Sequence, residues 1–216
     1  MNARRRFVAL AALAVLVTGV AAGVAILSLY RVGLARGGEA LAAVVRGQVA
    51  MAEAVFQSEL TDLGGDTAAA VESAVQHVRA ATRNFTGFGR AGEFEVARRV
   101  GDTLVFEIGL RGDTARVHAL MALPSDRAIA AQRAAMGERG VARALDYRGV
   151  PVLTAYAPVP GTGLGVVAEV GLAELRAPYL RAALLSAGVA GVLILVALAL
   201  GLRVGAPLLA VVEERE

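Results

Sequence analysis

The chain has 216 residues, 22 basic against 19 acidic, a net charge of +3 and no cysteine. Every basic residue is arginine, which excludes Schiff-base and lysine-base chemistry, and the missing thiol excludes disulfides, thiolate nucleophiles and cysteine-ligated metal centres. So even a balance of charge is not the basic stripe of a nucleic-acid binder, and no nucleic-acid partner is expected.

The first six residues carry Arg4, Arg5 and Arg6. Residues 7–30 follow without a charged side chain, and residues 182–202 repeat that pattern near the other end. Each stretch matches the roughly 20 apolar residues that cross a bilayer. The first is also far longer than the apolar core of about 7–15 residues in a cleaved signal peptide. Both are therefore read as transmembrane helices. The positive-inside rule places residues 1–6 in the cytoplasm and the intervening domain, 31–181, outside it. Residues 203–216 then return to the cytoplasm, where Pro207 and the run Leu208–Glu216 read as the start of a signalling helix. The chain is expected to cross a membrane twice.

Within 31–181, Leu41, Val44, Val45, Gln48, Val49, Ala52, Val55 and Phe56 recur at spacings of three and four, predicting a helix from Gly38 to about Leu60. Only a short stretch separates it from the first span, so the two form nearly one rod. The break at Asp62–Asp66 ends it, and Thr67 is the expected cap of a second helix reaching about Arg83. Residues 84–92, with three glycines, read as a loop. Strands are then predicted at Phe94–Ala97, Leu104–Leu110 and Val117–Leu123, with turns at Gly101-Asp102 and Arg111–Asp113. Ser125 or Asp126 caps a helix to about Met136. Val141–Tyr147, Val150–Val159 and Leu164–Val170 complete the strands, and Pro158 and Pro160 put the end of the middle one at an edge or bend. Paired helices followed by a small antiparallel sheet with one crossing helix make an α+β fold.

The sequences Asp146-Tyr147-Arg148-Gly149, Val152–Val159 and Leu164–Val170 resemble the closing strands of Cache-type sensor domains of bacterial transmembrane receptors. The run Gly87–Phe94 before the first strand, and Leu172–Pro178 entering the second span, are similar to the same domains in histidine kinases and diguanylate cyclases. The likeness spans roughly Leu34 to Leu202. Leu164 stands where an aromatic often precedes the last strand, and Gly171 where an acid usually follows it. The resemblance implies a long N-terminal helix, a PAS-like sheet, a small-molecule ligand such as an organic acid, amino acid or amine, a homodimer, and signalling through the second span to a two-component or cyclase output.

Candidate chemistry is sparse. Gly87-x-Gly89-x-x-Gly92 spells a dinucleotide fingerprint, but a helix precedes it and a strand follows, the reverse of what phosphate binding needs. His77 and His118 sit in different elements and fall short of the three or four ligands of zinc. No serine has a nucleophile-elbow setting. No catalytic residue, metal or cofactor is expected, and the chain reads as a sensor rather than an enzyme. Asp146, Tyr147, Arg148 and Tyr156 are the leading ligand-binding candidates, as aromatic walls with charged anchors. Alternatively, Asp146 and Arg148 are turn residues and the tyrosines are core. Arg98, Glu107 and Arg127 are second candidates, and exposed ion pairing explains them equally well. In the spans, Gly19/Gly23 and Ala187/Gly191 are small-residue pairs suited to close helix approach. The rival reading is a membrane-anchored periplasmic domain that binds a partner protein.

Overall fold

The structure, a computed structural model, describes residues 3–82, 92–109 and 119–213. Most of the glycine-rich loop, the 111–113 turn, Val117 and His118 lie outside the described residues. The elements run α1 (Ala3–Asp62), α2 (Thr67–Thr82), β1 (Glu93–Val100), β2 (Thr103–Ile108), β3 (Ala119–Ala122), α3 (Ile129–Ala135), β4 (Gly140–Leu145), β5 (Pro151–Val159), β6 (Leu164–Gly171) and α4 (Leu172–Glu213). The six strands form one antiparallel sheet ordered β3-β2-β1-β6-β5-β4. This is the expected α+β class. The chain divides into two compact units at Val32/Gly33 and Leu175/Arg176.

In the unit holding the sheet, each strand's two-residue period sorts its side chains onto two faces. Phe94, Val96, Leu153, Ala155, Val166, Ala168 and Val170 are buried on one of them. The lower part of α1 supplies a buried stripe of Leu34, Leu41, Val45, Ala52 and Phe56, and α2 one of Ala70, Val71, Ala74, Val75 and Val78. A methyl at Gly38 would meet Val141 Cγ1 at 2.9 Å, so the bare backbone there lets α1 settle onto β4. The opposite face carries α3. Ala130, Ala131 and Ala134 pack there with Ala97, Leu104, Phe106, Tyr156 and Val167. At Gly165 of β6 a methyl would stand 2.5 Å from Ala134 Cβ and 2.6 Å from the Ala135 amide nitrogen. The glycine is what admits α3 so close to the strand.

Several local readings are corrected. Asp66, not Thr67, caps α2: its Oδ1 accepts from the amides of Ala68 and Ala69 at 3.0 and 3.1 Å. Ser125 does not cap α3. Its hydroxyl accepts from the Arg127 amide at 3.1 Å in a turn, Ala128 adopts a left-handed φ of 49°, and the helix begins only at Ile129. Pro158 sits opposite Gly165 on β6 but beyond Tyr156, where β4 pairing stops, so its missing N–H breaks no ladder bond on the β4 side. Pro207 does not start a new helix, because α4 runs through it to Glu213.

In the other unit, α1 and α4 are long and apolar enough to cross a membrane. Leu16, Val20, Leu27, Leu184, Val189 and Leu193 point outward with no protein over them, a sheath that suits lipid rather than water. Tyr30 and Tyr179 meet edge to face with ring centroids 5.5 Å apart, and Arg176 Nε donates to the Tyr30 hydroxyl at 3.0 Å. A methyl on Gly19, Gly23, Gly188 or Gly191 would meet nothing within 4 Å, so these small residues make no close helix contact inside the chain.

Candidate functional site

Three cross-strand rows on the α3 face define the site. Ala97, Gly165 and Pro158 form the row under α3. Glu95, Val167 and Tyr156 form the next, and Glu93, Glu169 and Thr154 the last. The face thus passes from small and apolar residues to carboxylates within two steps. Glu93, Glu95 and Glu169 are only 1%, 2% and 3% exposed, and one carboxylate oxygen from each lies within 4.8 Å of the others. Opposed like charges weaken a sheet, and burying carboxylates costs more still. Such an arrangement persists in a fold only if something offsets it.

Part of the offset comes from the β4–β5 turn. Asp146 is buried, and its Oδ1 accepts from the amides of Arg148 and Val150 at 2.8 and 2.7 Å. Its Oδ2 takes Arg148 Nε at 2.9 Å and Nη2 at 2.8 Å. The same Nη2 stands 2.6 Å from Glu93 Oε1. Arg148 therefore bridges the turn to β1, with its guanidinium carbon 5.2 Å from the centre of the Tyr147 ring. Among the described residues, one arginine stands against four carboxylates. Burial, followed by repulsion from Glu169, Glu93 and Asp146, pushes the Glu95 carboxyl well above its ordinary value. Burial, with Asp146 and Glu93 next, pushes Glu169 up to about 8. Burial alone would lower Arg148, but its bond to Asp146 and the Glu93 charge more than reverse that.

The residues nominated from sequence separate into three groups. Asp146 and Arg148 hold the turn and also belong to the buried cluster, with Tyr147 beside them, its ring centroid 6.0 Å from that of Phe106. Arg127 lies alongside, near the backbone of Gly149. Tyr156 packs into the α3 core at 6% exposure, and its hydroxyl accepts from Arg133 Nη1 at 3.3 Å. Arg98 and Glu107 pair at 2.5 Å on the other face of the sheet, away from the cluster. His77 is exposed on α2, 2.9 Å from the Ser73 carbonyl, with no metal-site company.

Glu93, Glu95, Glu169 and Thr154 were not singled out from sequence. The alternation Glu93-Phe94-Glu95-Val96 reads as an ordinary half-exposed strand. The usable signal was Glu169, a lone acid inside the apolar run Leu164–Val170. An open cleft of about 310 Å³ between α3 and the β2–β3 region, lined by Leu104, Leu123, Pro124, Gln132 and Met136 among others, contains none of these carboxylates. Comparison with family models, curated proteins and solved structures gives no match.

Proposed function

We propose that this chain is the input part of a membrane-anchored sensor: a small ligand binds on the acidic half of the α3 face, and the signal passes through α4. The observation that carries this reading is a connection. Glu169 belongs to the buried cluster and to β6, and β6 ends at Gly171 immediately before Leu172 opens α4. A ligand that drew the cluster together would pull on the strand that continues into the span, with no loop between to absorb the movement. The excess of carboxylates favours a positively charged ligand over an organic acid.

In this reading Arg4–Arg6 hold the N-terminus in the cytoplasm of a bacterial cell, the domain faces outward, and two copies act together. Support for the Cache-type assignment is the sequence resemblance together with the long helix and central antiparallel sheet. The test joins residue Glu216 to a cytoplasmic kinase domain and follows its autophosphorylation while amines, amino acids, organic acids and divalent metal salts are applied outside. At least one compound is expected to change the output and to stabilise the folded chain. A panel that does neither leaves the rival, a membrane-anchored domain that docks a partner protein.

A further inference from the structure

We infer that Glu93, Glu95 and Glu169, completed by the Thr154 hydroxyl, form a binding site for a hard divalent cation, with Ca²⁺ as the best-fitting occupant. This rests on the reading of the acidic face as the ligand site and names the ligand's class. The carboxylate oxygens lie within 4.8 Å of one another. Oxygens bound to one Ca²⁺ at about 2.3–2.6 Å stand up to roughly 5 Å apart, so a single ion can reach all three.

Thr154 supplies an independent observation. It is fully buried, its Oγ1 has no hydrogen-bond partner, and it stands directly opposite Glu169 on the same face. Glu95 Oε1 and Glu169 Oε1 are likewise without a partner. A buried hydroxyl left unsatisfied is destabilising. Thr154 and Glu169 share one face of the sheet in direct register, and an electropositive group would satisfy the hydroxyl together with the partnerless oxygens of Glu95 and Glu169.

Size and chemistry narrow the choice. With every ligand side chain 3% exposed or less, the cluster admits an ion more readily than the carbon skeleton of an organic amine. An all-oxygen donor set suits Ca²⁺, Mg²⁺ or Mn²⁺ rather than zinc or copper. Mg²⁺ gives up its waters reluctantly, whereas Ca²⁺ exchanges them for carboxylates that bind through one oxygen or both. A dry, carboxylate-rich site therefore prefers Ca²⁺.

The test uses the full chain in detergent, stripped with chelator and then titrated with Ca²⁺, Mg²⁺ or Mn²⁺ by calorimetry and thermal unfolding. Ca²⁺ is expected to bind saturably and raise the melting temperature, with Mg²⁺ weaker. Glu169→Gln and Thr154→Val should each weaken Ca²⁺ binding about tenfold or more, since affinity follows the ligand set. Arg99→Gln, at an exposed ion pair with Asp102, should not. Glu169→Gln relieves charge repulsion in the apo cluster, so it folds, and circular dichroism checks that. No saturable response to any of the three ions at about 10 mM, above the weakest range of extracellular Ca²⁺ modules, overturns the inference. So does an unchanged Ca²⁺ response in the Glu169→Gln/Thr154→Val double variant. If metals fail while an organic compound drives the kinase fusion, the cation site falls and the sensor reading stands.

Discussion

Glu93 and Glu169 face one another across the β1–β6 ladder, two carboxylates buried in direct register. Arg148 reaches Glu93 from a turn two strands away. No hydrophobic argument explains such a pair. It is stability given up two rows from the small apolar residues Ala97, Gly165 and Pro158.

The first prediction follows from the Glu169 carboxyl, raised to about 8 from an ordinary value near 4.5. Between those values the folded chain holds a proton that the unfolded chain has released, so stability falls as pH rises. Among the described residues, the charged groups acting on it are Asp146, Glu93 and Arg148, with Glu95 adjoining. Without added metal, the melting temperature should be higher at pH 5.5 than at pH 8, and Glu169→Gln should flatten that slope. A melting temperature rising over this range would contradict the assigned burial.

Asp146 carries the second. Asp146→Ala removes the acceptor of two backbone amides and the main partner of Arg148. Chemical denaturation should show a loss of roughly 2–4 kcal/mol, as expected when buried hydrogen-bonding groups lose their partners.

Tyr156 tests whether an aromatic nominated as a pocket wall is core instead. Tyr156→Ala should cost about 3–5 kcal/mol in unfolding free energy, as for other large buried aromatics. Tyr156→Phe should be nearly silent, because the hydrogen bond it removes comes from Arg133, whose side chain is 47% exposed.

Gly165 gives the fourth. Gly165→Val places side-chain atoms where the Ala134 methyl and the Ala135 backbone already stand. The overpacking should cost about 1–3 kcal/mol, seen as a lower midpoint in denaturant. Truncating Gln132 to alanine would not relieve it, since the obstruction is the Ala134 methyl and the α3 backbone.

Topology gives the fifth. A reporter fused after Glu216 should be active only in the cytoplasm, and one inserted at residues 64–66 only outside. Both on one side would exclude a two-span chain.

The two long apolar helices, the helix pair and the strand order along the chain were legible because each depends on a local pattern: the uncharged runs, the α1 stripe, the α2 face, the alternation in β5. The cluster was not, because it exists only through pairing. Glu93 and Glu169 meet because β6 inserts between β1 and β5, a choice that no local pattern of either segment records. Asp146 and Arg148 were visible as turn chemistry, and the turn also delivers Arg148 to Glu93. Helix starts slipped by a residue or more where a side-chain oxygen served a turn instead, as at Ser125, or where the preceding acid took the amides, as at Asp66.

The Tyr30–Arg176 bond sets a limit on how the two long apolar helices can move past one another. It spans 3.0 Å, and hydrogen bonds weaken sharply beyond about 3.5 Å. Sliding α4 along α1 by a full turn, about 5.4 Å of helix rise, carries the guanidinium out of reach and pulls the Tyr179 and Tyr30 rings apart. Rotation of α4 about an axis near Tyr179 disturbs the pair far less. The contact thus acts as a ruler for relative motion: fluorescence or crosslinking from cysteines introduced on either side of Tyr30, in a chain with none of its own, separates translation from rotation in one measurement.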